Sequence, residues 1–167
     1  MGPISAETTI DAPRERVWAV LRDLANRPAF CDHFQHDFRL ERLESAGVGA
    51  SARFRLEGPR MKIWMETVIE EAEEPQRIFE RGQGGRLDRI PSATVWELAE
   101  GAGRTTEAKV TFWTEPSNPI DKLRENGRSR RWIRRQWAHA LERLKGLAET
   151  DSAIEPVGVA GIDPGWR

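Results

Sequence analysis

The segment Cys31-Asp32-His33-Phe34-Gln35-His36-Asp37 gathers the chain's densest set of side chains able to ligate a metal or move a proton. His33 and His36 are three apart, and residues at that spacing share one face of a helix. A zinc site needs a third and usually a fourth ligand held in place. The segment is therefore read as a polar loop, with no metal and no cofactor expected. Imidazole titrates near neutral pH, so His33 and His36 remain open as polar or acid–base groups. Other catalytic signatures are missing: there is no GxSxG, no phosphate-binding glycine loop and no HExxH. The serines, threonines and carboxylates form no recognisable constellation, and Asp88 and Arg89 default to the surface.

The sharpest charge feature is Arg124, Arg128, Arg130, Arg131, Arg134 and Arg135, with Trp132 interleaved. Arginine neutralises phosphates and tryptophan stacks on bases, which would suit nucleic acid. The favoured reading is a solvated helix face whose arginine stems cover apolar surface. This face could also pair with the acidic run Glu70, Glu71, Glu73 and Glu74. An anionic headgroup or acidic partner stays open behind that, and nucleic acid is disfavoured. The net charge of -1 argues against a polycation.

These side chains must be positioned by a chain of 167 residues, a length that suits one domain with one core. Its 38% hydrophobic and 32% charged residues describe an ordinary folded protein with a well-charged surface. Cys31 is the sole cysteine, so no intramolecular disulfide can form, which fits a reducing cytoplasm. The N-terminus lacks a signal-peptide pattern, and no apolar run approaches a membrane span. Tyrosine is absent while there are seven tryptophans, several of which are expected inside.

The first element is a strand over Ser5 to Ile10. Pro13 at a first helical position, with Asp11 or Ala12 at the cap, predicts a helix from about 13 to 25 that buries Val17, Trp18, Leu21 and Leu24. Asn26-Arg27-Pro28 breaks it, and Pro28 to Phe34 suggests a second short helix. Alternating patterns then mark six strands between Asp37 and Trp113. On the third of the chain's strands Ala52, Phe54 and Leu56 share a face. On the fourth it is Met61, Ile63, Met65, Thr67 and Ile69. Later strands place Thr94, Trp96 and Leu98, then Ala108, Val110 and Phe112, on one face. A further run covers Arg77 to Arg81, and Gly82 to Gly85 reads as a flexible turn. The short connections force antiparallel neighbours, a meander with one wet face. Asn118-Pro119 opens a long helix, about 119 to 149, which Gly127 could interrupt. Its stripe of Ile133, Trp137, Ala140, Leu141, Leu144 and Ala148 must lie on the sheet's apolar face. Pro156, Gly158, Gly161, Pro164 and Gly165 suggest a loosely ordered tail from 150 to 167.

The order of these elements resembles the helix-grip superfamily that includes START domains, the birch-pollen-allergen fold and polyketide cyclases. The likeness rests on Ile10-Asp11-Ala12-Pro13 with Val17 to Leu24, and on Gly47-Val48-Gly49. Val68 and Glu70 running into Glu74-Pro75 add to it. So do Thr94 to Leu98 before the Gly101–Gly103 turn, and the ending Leu141 to Glu149. It covers about residues 4 to 149 and departs at Arg104-Thr105, where relatives have threonine directly after the glycine turn. The resemblance implies an α+β helix-grip fold: a curved antiparallel sheet of about seven strands around a long C-terminal helix, with two short helices after the first strand. The ligand-binding domain would be residues 1–149.

The resemblance further implies a cavity between sheet and helix for lipids, polyketides or similar molecules, without a fixed catalytic set. Inward positions expected to line it are Phe54, Ile63, Met65, Thr67, Trp96, Val110, Phe112, Trp137 and Leu141. A one-residue slip of strand phase would substitute Trp64 and Val68 for Met65 and Thr67. Candidate polar groups at the cavity are His33, His36, Arg81 and Glu97. Three functions remain: a carrier of a small hydrophobic molecule, a cyclase or aromatase using the same cavity, and an interaction protein acting through the arginine-rich helix. A homodimer is left open.

Overall fold

The computed structural model describes residues 1–58, 61–85, 90–115, 127–150 and 154. Strand β1 (Ile4–Ile10) leads into helix α1 (Arg14–Leu21), a 3-10 turn (Leu24–Asn26) and helix α2 (Pro28–Cys31). Strands β2 (Gln35–Leu40), β3 (Ser51–Gly58), β4 (Met61–Glu73), β5 (Arg77–Gly84), β6 (Ile90–Glu100) and β7 (Thr106–Thr114) follow, then helix α3 (Gly127–Thr150). The seven strands form one antiparallel sheet in the order β1-β7-β6-β5-β4-β3-β2. The meander is as expected, with β1 added beside β7, and the chain has the helix-grip fold.

Local chemistry sets the boundaries. Pro13 has ψ 146°, so it caps α1 rather than opening it, and the helix begins one residue later than its spacing suggests. Val17, Trp18, Leu21 and Leu24 are buried as expected. The second helix is shorter than Pro28 to Phe34. The chain leaves it after Cys31 because Phe34 is buried and Gln35 is already paired with Leu56 in the sheet. The expected helix start at Asn118-Pro119, the residues Asp88, Arg89 and Arg124, and nearly all of the tail lie outside the described residues.

Two irregularities decide which side chains point inward. In β2 the register shifts between His36 and Arg39, and Asp37 adopts φ 51°. Such a bulge exchanges faces along a strand. Phe38 and Leu40 are buried, yet it is Gln35 rather than His36 that joins them inside. In β4 the shift between Ile69 and Glu71 likewise brings Ala72 opposite Ile78.

Helix α3 lies across the concave side of the sheet and buries Ile133, Trp137, Ala140, Leu141, Leu144 and Ala148. Full burial of each leucine is worth about 1.5–3 kcal/mol, so this stripe is a principal source of stability. Its N-terminal end touches both sides of the curl. Arg130 donates to the carbonyls of Gly2 (2.9 Å) and Pro3 (3.3 Å), beside β1. Across the groove, a Cβ built on Gly58 at the end of β3 would lie 2.8 Å from the Trp132 ring, so the missing side chain admits that indole. Further along, Thr8 and the Asp11 amide bond Glu142 and Glu149.

Candidate functional site

Between the concave face and α3 lies a cavity of about 20 Å³, counted as the space open to the centre of a water molecule. That is room for one or two waters. Phe34, Phe54, Leu56, Met65, Phe112, Ile133 and Trp137 supply apolar walls; Gln35, Thr67, Glu80, Ser92 and Thr94 supply polar ones.

Strand β5 runs beside the cavity and contributes Glu80 to its wall. Its inward positions run Ile78, Glu80, Gly82 and Gly84, opposite Ala72, Ile69, Thr67 and Met65 of β4. Two successive inward positions thus carry no side chain. A Cβ at Gly82 would lie 2.5 Å from Ser92 Oγ, and one at Gly84 would lie 2.1 Å from Met65 Sδ. Neighbouring side chains already lean over both glycines. Gly82 to Gly85 is therefore mostly strand, not the flexible turn its composition suggests. Only Gly85, at φ 82°, takes the left-handed conformation of a turn.

At one end of the cavity Glu80 is buried and ion-paired with Arg27. Both side chains are 2% exposed, and Arg27 Nη2 lies 2.5 Å from Glu80 Oε1. The same carboxylate accepts from Arg27 Nη1 (3.4 Å), Thr67 Oγ1 (3.2 Å) and Trp96 Nε1 (2.9 Å). The guanidinium stacks over the rings of Trp96 and Phe30, at 5.1 and 5.6 Å from their centroids. Burial acts to lower the pKa of Arg27, but the charge of Glu80, Cys31 and the hydrogen bond to Glu80 together outweigh it, and the guanidinium is held above its ordinary value. Nearby, burial pushes the Cys31 thiol up to about 12 despite Arg27, so it stays a neutral, unreactive core group.

Among the described residues, two polar atoms on the cavity walls have no hydrogen-bond partner: the indole Nε1 of Trp137 and the amide Oε1 of Gln35. Trp137 is otherwise clasped by aromatic rings, with Phe34 at 5.1 Å, Trp96 at 5.5 Å and Phe112 at 5.9 Å between centroids.

Of the residues expected to line the cavity, Phe54, Met65, Thr67, Phe112 and Trp137 border it. The other four do not. Trp96 is turned to Glu80, Val110 and Leu141 are fully buried in the core, and Ile63 is half-buried towards the start of β4. The strand phase agrees with the alternation: Trp64 is 41% exposed on the convex face, beneath Arg53 and Arg55.

The four proposed polar groups lie elsewhere, and each has a physical reason. Arg81 faces outward because Glu80 faces inward; its Nε donates to both oxygens of Glu70 at 2.9 Å. Glu97 is also on the convex face, 3.3 Å from Lys109. His36 is carried outward by the β2 bulge to pair opposite Arg55. His33 bridges α2 and α3. Its Nε2 meets the Gln136 carbonyl at 3.2 Å and its Nδ1 meets Arg143 Nη1 at 3.3 Å. Arg143 also pairs with Asp32, which lowers the pKa of that carboxyl. The two histidines share no face, and among the described residues no three metal-type ligands converge.

The acidic run pairs with β5 rather than with α3: Glu70 with Arg81, and Glu71 and Glu73 with Arg77. Arg131, Arg134 and Arg135 are exposed on the side of α3 opposite Ile133 and Trp137. Among the described residues no helix is long and apolar enough to cross a membrane.

Sequence reasoning missed Gln35, Arg27, Glu80, Ser92 and the inward glycines. Glu80 does follow from alternation with Ile78, once the strand is continued through the glycines. Arg27 carries no sequence signal, because its tripeptide reads only as a helix breaker.

A family model for polyketide cyclases, dehydrases and lipid-transport proteins matches residues 1–149. The aromatase/cyclase ZhuI of Streptomyces sp. R1128 superposes with a TM-score of 0.68 at 16% identity, covering 89% of this chain and 93% of its own. A START superfamily protein from Mycobacterium smegmatis gives 0.67 at 14% identity, over 90% and 99% of the two chains. The Thermus thermophilus protein TTHA0849 gives 0.67 at 18% identity, over 91% and 100%. No curated protein matches the chain.

Proposed function

Because the chain belongs to the polyketide cyclase/dehydrase and lipid-transport family, we propose that it binds a small hydrophobic molecule between its sheet and α3, with residues 1–149 as the binding unit. The observation that carries this reading is the cavity between the concave face and α3, with apolar walls from Phe34, Phe54, Leu56, Met65, Phe112, Ile133 and Trp137 and a minority of polar groups. Protein interiors leave few voids larger than a water molecule. The space is about 20 Å³, so a molecule larger than one or two waters must move flexible walls to enter. Met65, an unbranched side chain leaning over Gly84, is the wall best able to yield.

The cyclase reading requires a titratable group in the cavity within about 3 Å of the reacting atoms. Glu80 is such a group, which keeps that reading alive. However, Glu80 accepts hydrogen bonds from Arg27, Thr67 and Trp96, and would have to surrender one to take a proton from a ligand. That commitment favours binding over catalysis.

Denaturing extraction of the purified protein, followed by mass spectrometry, tests the proposal. A stoichiometric apolar compound is expected in the extract or, after delipidation, on re-exposure to a cell extract. Protein that comes away empty from both counts against it.

A further inference from the structure

The two unpartnered atoms on the cavity wall point to the chemistry of the ligand. Trp137 is 3% exposed and Gln35 4%, so bulk water does not serve either side chain. An indole Nε1 can only donate, and an amide Oε1 can only accept. A buried polar atom without a partner is a cost that natural folds carry rarely, and usually at a site filled by something else. Both side chains border the same cavity, and Phe34, the residue before Gln35, packs edge-on against Trp137.

Resting on the binding reading above, we infer that the cavity selects an apolar molecule bearing a hydroxyl group. Its oxygen accepts from the Trp137 indole and its hydrogen is donated to the Gln35 carbonyl. The alternatives satisfy less. A hydrocarbon leaves both atoms orphaned. A ketone or ether serves Trp137 alone. A carboxylate would bring negative charge against the Gln35 oxygen in a lining that already contains Glu80. A hydroxyl is the smallest group that both donates and accepts. A polar space of about 20 Å³ has room for such a group.

The test is a titration of the delipidated protein with 1-naphthol, naphthalene and 1-naphthoate, followed through the indole N–H signals of its seven tryptophans. The Trp137 signal is assigned by its loss in Trp137→Phe. The expected result is that 1-naphthol binds about ten-fold more tightly than naphthalene, the scale of one net hydrogen bond or more, with 1-naphthoate weakest. The Trp137 N–H should move downfield with 1-naphthol and not with naphthalene. Within Trp137→Phe and within Gln35→Met, the ratio of 1-naphthol to naphthalene affinity should fall from about ten towards one. Should Trp137→Phe not fold, Gln35→Met and the wild-type indole shift decide the matter.

Equal affinity for alcohol and hydrocarbon, or substitutions that weaken both alike, would overturn the hydroxyl assignment and leave the binding reading standing. If neither compound perturbs the Trp137 signal, the binding reading falls with it.

Discussion

Replacing Arg27 with Met should be among the most damaging single changes in the molecule, and the reason is calculable. Arg27 and Glu80 are each 2% exposed and share a 2.5 Å contact. Arg27→Met keeps the volume near Phe30 and Trp96 but leaves a buried carboxylate supported, among the described residues, only by Thr67 and Trp96. Breaking a buried pair in this way costs about 3–5 kcal/mol. For a chain of this size each kcal/mol is worth roughly 2–4 °C in Tm, so a fall of about 6–20 °C is expected. The double change Arg27→Met, Glu80→Met removes both charges. It should recover most of the loss, to within about 1–2 kcal/mol of the parent, because apolar substitutes for a buried pair are often neutral. Urea unfolding followed by circular dichroism at 222 nm, on the parent, both single variants and the double variant, gives the full cycle. A cost under about 1 kcal/mol for Arg27→Met would be that of an exposed pair, and would refute the argument. So would a double variant whose loss equals the sum of the singles.

Other expectations follow from the cavity and from the α2–α3 contact. Gly84→Ala places a methyl group 2.1 Å from Met65 Sδ and 2.9 Å from the Trp64 carbonyl. It should cost about 1–3 kcal/mol by overpacking and weaken 1-naphthol binding; unchanged affinity in a titration would contradict the placement of the cavity. Met65→Ala should destabilise by about 2–5 kcal/mol yet bind 1-naphthol more tightly, since it removes a wall that must otherwise move. Weaker binding would argue against Met65 as that wall. His33 has a lowered pKa, chiefly from burial. A base lowered on folding is protonated first in the unfolded chain. Its contribution to stability is therefore intact above the ordinary histidine value of about 6.5, and it declines as pH falls from there towards the folded value. The Tm should drop between pH 7 and 5 more steeply in the parent than in His33→Gln; identical slopes would exclude His33 as the cause.

Much of this was legible in the residues themselves. The alternation of Met65, Thr67 and Ile69 fixed the phase of β4. The offsets from Ile133 to Ala148 fixed the buried stripe of α3, because an apolar period needs no knowledge of the partner surface. What the sequence concealed was of another kind. Gly82 and Gly84 look like turn residues, since glycine signals conformational freedom and not the room that its missing side chain leaves. Gln35 and His36 exchanged faces through a bulge that no local pattern announces. Glu80 and Arg27 each look solvent-exposed, because their burial is tolerable only in each other's presence. That pairing across fifty-three positions exists only once the sheet has curled. The polar half of the site was thus hidden for the same reason that it is informative: its residues act through partners that only the fold supplies.

A small apolar molecule held in the space beneath α3 would give isotope-filtered NOEs from bound 1-naphthol to the side chains that wall it. Cross-peaks are expected to the methyl groups of Met65 and Thr67 and to the ring of Phe112, all on the inner wall. Cross-peaks confined to Trp64, Phe79 or Trp113 on the convex face would contradict it, because the ligand would then be held by the outer surface of the sheet.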